Sequence, residues 1–193
     1  MRKHSFLAAL FFLALALPAR AELTVAGVKF ADDSVSGDKP LVLNGAGLRK
    51  KAFFKVYAIG LYLPAKAGAA EAAIGGSGPK RVRIVMMRDV DADTFAEALI
   101  ESVHDNSGDA EKSALAQRLE AFKATLLTLK EAKEGDEIVL DFATDGSTQL
   151  MVGGAAKGAP VAGADFQQAL LKIWLGAHPV QDDLKQALLG KGS

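Results

Sequence analysis

Apolar residues along this chain fall into short runs divided by glycine, proline and acidic punctuation, and the period of each run predicts its element. Lys80–Met87 alternates, with Val82, Ile84 and Met86 on one side and Arg81, Arg83 and Val85 on the other, which predicts a strand with one polar face. Leu41–Leu43 and Ala52–Leu63 are rich in aliphatic, β-branched and aromatic residues and read as strands. The longer one is apolar on both sides and needs cover on each. Between them, Asn44-Gly45-Ala46-Gly47 has the composition of a turn that presents Arg49, the first residue of a basic group with Lys50 and Lys51. Pro64 ends the second strand, because proline has no N–H for a ladder. Upstream, Leu23–Phe30 alternates loosely, Ala31-Asp32-Asp33 reads as a turn and Ser34–Pro40 as a loop.

The helical periods come later. Ala65–Ile74 predicts a short helix broken by Gly75–Pro79. Asp91 or Asp93 caps a helix to about Val103, with Phe95, Leu99 and Val103 along one side. His104–Gly108 interrupts it, and a longer helix over Asp109–Lys130 carries the stripe Leu115, Leu119, Phe122 and Leu126. After a turn at Glu134–Asp136, Ile138–Phe142 and Gln149–Val152 form a hairpin across Asp145-Gly146. Turn chemistry accounts for Asp141 and Asp145 there. A turn over Gly153–Gly158 leads to a third strand at Ala159–Val161. Ala164–Leu175 is a core helix carrying Phe166, Leu170, Ile173 and Trp174, and a short helix from Asp182 or Asp183 to Leu189 closes the chain. There is no βαβ alternation, repeat or linker, so one α+β domain is expected.

Composition narrows the address. Met1-Arg2-Lys3-His4, the apolar run Phe6–Leu17 and Pro18-Ala19-Arg20-Ala21 are the three parts of a secretory signal, and the run is too short to span a bilayer. Cleavage after Ala21 leaves residues 22–193 as the mature domain, expected in a periplasm with no transmembrane segment. The 23 basic and 23 acidic residues become 20 against 23 without Arg2, Lys3 and Arg20, a balance that leaves no footprint for nucleic acid. The chain has no cysteine, which excludes disulfides, thiolate metal sites, cysteine nucleophiles and a lipoprotein anchor. His104 and His178 alone make a poor metal or haem set, and neither a P-loop nor a nucleophile elbow occurs, so no cofactor is expected.

The segments NGAGLRKK (44–51) and KVYAIGLYLP (55–64) resemble the N-terminal motif of the chalcone isomerase-like superfamily, in which a Gly-Ala-Gly-x-Arg turn precedes a strand ending Ala-Ile-Gly-x-Tyr-Leu. Ile173–Val180 followed by Asp183-Leu184-Lys185 is similar to its closing motif, so the resemblance spans almost all of the mature chain. It implies an open-faced β-sandwich, a curved antiparallel sheet wrapped by helices over an apolar cleft. It also implies that Arg49 binds a ligand's anionic group, a task that suits a guanidinium fork.

The other positions depart from the plant enzymes. Tyr57 stands where they carry a threonine, Phe95 and Ser102 where they carry a tyrosine and an asparagine, and Ile173 where they carry another threonine. Hydroxyls and an amide are lost while the arginine stays. An anion-binding head on an apolar lining suits a fatty acid or similar amphiphile, and some plant members of the superfamily are fatty-acid-binding proteins. Arg49, Tyr57, Phe54, Phe95, Leu99, Ser102, Ile173 and Trp174 are the candidate ligand-binding residues, and none is assigned a catalytic role. Two rival readings are an intramolecular lyase acting on a chalcone-like or other unsaturated substrate, and an accessory protein whose cleft is filled by its own side chains.

Overall fold

The structure, a computed structural model, describes residues 22–192. The expected signal and its cleavage point lie outside them. Seven antiparallel strands form the main sheet: β3 (Asp33–Ser36), β4 (Lys39–Lys51), β5 (Phe54–Leu63), β6 (Lys80–Met86), β9 (Glu137–Phe142), β10 (Thr148–Val152) and β11 (Ala155–Val161). Their order across the sheet is β11-β10-β9-β6-β5-β4-β3. A separate hairpin, β1 (Glu22–Val25) and β2 (Val28–Ala31), and a two-residue pair, β7 (Val90–Asp91) and β8 (Glu131–Ala132), complete the strands. The helices are α1 (Ala70–Gly75), α2 (Ala92–Asp105), α3 (Asp109–Leu127), α4 (Ala164–Leu175) and α5 (Asp182–Leu188). This is the α+β, open-faced sandwich expected from the sequence. Among the described residues no helix is long and apolar enough to cross a membrane.

Alternation sorts each strand between two cores. Tyr57, Ile59, Leu61 and Leu63 of β5 join Val82, Ile84 and Met86 of β6 under the helices, in one cluster with Leu99, Leu119, Phe122, Phe166 and Trp174. Ala58 and Tyr62 face the other way, into a smaller cluster with Phe30, Leu41 and Leu43. The helices and the β1–β2 hairpin therefore supply the two covers that an all-apolar β5 requires. On β6 the polar side is paired across the sheet. Arg81 holds Asp141 through two hydrogen bonds of 2.6 and 2.7 Å, and Arg83 donates to Glu137 at 2.8 Å. Turn chemistry explains Asp145, which accepts from Ser147, but not Asp141, whose role is this cross-strand fork.

Several boundaries differ from the sequence expectation. Ser34–Pro40 is not a loop but the β3–β4 hairpin, turning at Gly37 with φ 60°. β11 begins at Ala155, so the turn after β10 needs only Gly153 and Gly154, both at positive φ. α1 begins at Ala70 rather than Ala65, and α3 ends at Leu127 rather than Lys130.

The largest correction concerns Asn44–Gly47, which is no turn but the middle of the 13-residue strand β4. Neither Gly45 nor Gly47 has positive φ. Their role is close approach: a Cβ at Gly47 would lie 2.6 Å from Leu184 Cδ1, and one at Gly45 would land on the Ala187 carbonyl of α5. Asn44 is buried and clamps the same junction, donating to Leu188 O at 2.7 Å and accepting from Ala67 N–H at 2.6 Å.

Candidate functional site

The reversal after β4 falls at Ala52-Phe53, and it sets the geometry of Arg49. β4 and β5 pair Arg49 with Tyr57 and then Lys50 with Lys55, so Val56 is an extra residue on β5. Bulges of this kind re-aim neighbouring side chains. Directly opposed residues share a face of the sheet, so Arg49 stands beside Tyr57 on the helical side. Gln181, just before α5, ties the strand in place. It accepts from Lys50 N–H at 2.8 Å and donates to Leu48 O at 3.1 Å. Arg49 Nη1 donates to Lys50 O at 2.6 Å and to Gln181 Oε1 at 3.3 Å. Among the described residues no carboxylate forms an ion pair with Arg49.

Tyr57 and Trp174 are both buried, and Trp174 Nε1 donates to the Tyr57 hydroxyl at 3.0 Å. Burial pushes the Tyr57 hydroxyl above its ordinary value of 10.0, against the opposing pull of Trp174 and Arg49. It stays protonated at neutral pH, and no hydrogen bond to another described residue takes its proton.

The two tyrosines of the chain, Tyr57 and Tyr62, are both raised mainly by burial. The native protein then binds more protons than the unfolded chain above pH 10. Their contribution to stability is present in full below that pH and is lost as pH rises through the raised folded values. Ultraviolet titration is expected to show tyrosinate forming above the ordinary midpoint in the folded protein, and at a normal midpoint near 10 after denaturation. A folded-state tyrosine titrating at its ordinary value would contradict this packing.

Helix α2 supplies the opposite wall. Asp91 caps it, accepting from Asp93 N–H at 2.9 Å and from Thr94 N–H at 3.3 Å. Phe95, Leu99 and Ser102 then recur at i, i+4 and i+7, on one face of the helix. Ile173 and Trp174 at the end of α4 close the base. Between these walls lies a cavity of about 490 Å³. All eight candidates line it: Arg49 from β4, Phe54 and Tyr57 from β5, Phe95, Leu99 and Ser102 from α2, and Ile173 and Trp174 from α4. Ser102 commits its proton to its own helix, donating to Ala98 O at 2.7 Å. Thr94 and Glu101 also line it from exposed positions on α2, whereas Arg49 and Tyr57 are polar lining residues that are not exposed.

Other lining residues were not singled out from sequence. Lys51 and Arg88 stand at the mouth, and Arg88 stacks over the Phe54 ring at 4.7 Å from its centroid. Arg88 lies two residues past the end of β6, and the register that pairs Met86 with Tyr57 brings it to the Arg49 end of the sheet. The pairing of β5 with β6 would have revealed it. The acidic residues of the same rim are partly engaged: Asp91 caps α2 and Asp89 accepts from Glu134 N–H at 2.8 Å. A second cleft of about 500 Å³ lies beside α1 and the end of α4, but its lysines are committed. Lys172 pairs with Glu111 at 2.8 Å and Lys185 donates to Gly176 O at 2.7 Å.

Comparison with known proteins locates this arrangement. The family described as chalcone isomerase-like matches residues 21–190. Among solved structures, a fatty-acid binding protein of Arabidopsis thaliana superposes with a TM-score of 0.71, over 88% of this chain and 96% of its own, at 16% identity. At that identity the likeness is one of fold. None of the curated proteins compared matches the sequence significantly.

Proposed function

The chain belongs to the chalcone isomerase-like family, and on that premise we propose that it is a non-catalytic binding protein for a fatty acid or a similar apolar anion. One observation carries the reading. An arginine with no carboxylate partner among the described residues stands beside a protonated tyrosine in a cavity whose less exposed lining is mainly apolar, Val56, Phe95, Leu99 and Ile173 among it, with the charged residues Lys51, Arg88, Asp89, Asp91 and Glu101 on its exposed part. Arg49 takes the carboxylate with its fork, Tyr57 donates a second hydrogen bond, and Phe95, Leu99 and Ile173 hold the tail. A volume of about 490 Å³ falls within the range of about 300–1,000 Å³ common for small-molecule sites. The fold shared with a plant fatty-acid binding protein supports the same reading. The signal-like residues 1–21 support a periplasmic location.

The rival readings draw less support. An isomerase needs groups that move protons, whereas Phe95 and Ile173 are hydrocarbon. A cleft of this size weighs against a purely structural part, although the Tyr57–Trp174 pair does fill its base. Calorimetric titration of the protein with a saturated long-chain fatty acid tests the proposal. A one-to-one complex is expected, and the absence of binding up to the solubility of the acid overturns it.

A further inference from the structure

The tip of the β4–β5 hairpin has a composition that its turn does not explain. Lys51 pairs with Phe54, leaving Ala52-Phe53 as a two-residue loop. Ala52 sits at φ 53°, where such loops ordinarily carry glycine or asparagine. Phe53 is 99% exposed and Phe54 58% exposed, so two adjacent aromatic rings stand in solvent at one point of the surface. Isolated exposed apolar residues are common, but a projecting pair on a turn that favours polar residues is not. The hairpin's own charge has one sign, while Asp89, Asp91 and Glu101 sit on the cavity lining beyond it. Lys50, Lys51 and Lys55 of the hairpin and Arg88 over the Phe54 ring are all exposed, and the chain has no acidic residue between Asp38 and Glu71. Phe54, Lys51 and Arg88 also line the mouth of the cavity.

We propose that this tip docks the protein on an anionic lipid bilayer, with Phe53 and Phe54 entering the interfacial layer and the four cations lying against the headgroups. Aromatic rings within a basic collar match the two components of such a surface, apolar at depth and negative outside. Docking in this pose brings the cavity mouth to the membrane. That the mouth then takes up an amphiphile from the bilayer rests on the binding function proposed above, whereas the docking itself rests on the tip alone.

Co-sedimentation with vesicles of phosphatidylcholine containing about a quarter phosphatidylglycerol tests the docking at low salt. The protein is expected to sediment with these vesicles, more weakly as salt rises, and not with phosphatidylcholine alone. Phe53→Ser, at a side chain that lines neither of the two cavities described, is expected to lower vesicle affinity about tenfold and leave the melting temperature unchanged. Lys50→Glu combined with Lys55→Glu is expected to lower it as much. In Phe53→Trp the new indole is expected to shift to the blue on vesicles, above the constant signal of the buried Trp174. Fatty-acid titration of Phe53→Ser in solution should match the unmodified protein, which separates a failure of docking from a failure of ligand binding. The proposal is overturned if the unmodified protein does not sediment, or if Phe53→Ser sediments as well as it does. A dimer that Phe53→Ser dissolves, without vesicle binding, also overturns it and makes the tip a self-association surface.

Discussion

Replacing Arg49 with alanine is expected to weaken fatty-acid binding about thirtyfold while leaving the fold in place. The magnitude follows from the site. Removing one partner of a hydrogen-bonded charge pair at a binding interface costs about 2–5 kcal/mol, and a half-buried arginine belongs at the low end, about 2 kcal/mol. Stability should hardly change, because Gln181 still bonds Leu48 O and Lys50 N–H without the guanidinium. Arg49→Lys keeps the charge but loses the planar fork, so an intermediate loss is expected. Calorimetric titration of the three proteins checks the order. Equal affinity in the alanine variant would remove Arg49 from the site, and a collapse of the melting temperature would make it a structural residue.

Gly45→Ala should produce the largest loss of stability of any single methyl group added to the strand. The new Cβ would meet the Ala187 and Leu188 carbonyls, backbone atoms that cannot rotate away. α5 has to lift from β4, and the buried 2.7 Å bond from Asn44 to Leu188 O stretches with it. Overpacking of about 2 kcal/mol and a lost hydrogen bond of about 1 kcal/mol give a destabilisation of about 3 kcal/mol. In a domain of this size that lowers the melting temperature by roughly 10 °C. Gly75→Ala is the matched control, since nothing lies within 4 Å of a Cβ there and its φ is not positive. Differential scanning calorimetry of both variants checks the contrast, and a near-neutral Gly45→Ala would mean that α5 does not pack as described.

The same glycine shows where reading the sequence reaches its limit. Alternation located β6, and the apolar spacing located α2 and α4 to within a residue or two, because those signals are local. Asn44-Gly45-Ala46-Gly47 carried the composition of a turn, yet what requires small residues there is α5, and Asn44 bonds a carbonyl 144 positions away. A local pattern cannot distinguish a glycine needed for positive φ from one needed for close approach. Ala52-Phe53 shows the reverse case: the true reversal lacks turn residues and its composition reads as strand.

The candidate residues share one cavity even though the strand that carries Arg49 differs from the expectation. Tyr57, Phe95, Ser102 and Ile173 are candidates by their position within a motif, and the fold gathers all eight candidates on one cavity. The place of Arg88 and Lys51 on the cavity depends on strand register, which no local pattern carries. The Trp174–Tyr57 bond was likewise invisible, since 117 residues separate the partners.

The central claim is that this cavity recognises a carboxylate joined to an apolar chain, and a paired titration tests it most directly. A saturated long-chain fatty acid and its methyl ester share the tail and differ in the charge that Arg49 would meet. The expected result is one molecule of acid bound per chain, with the ester weaker by about tenfold or more. Equal affinity for the two, or binding of neither, would contradict the account.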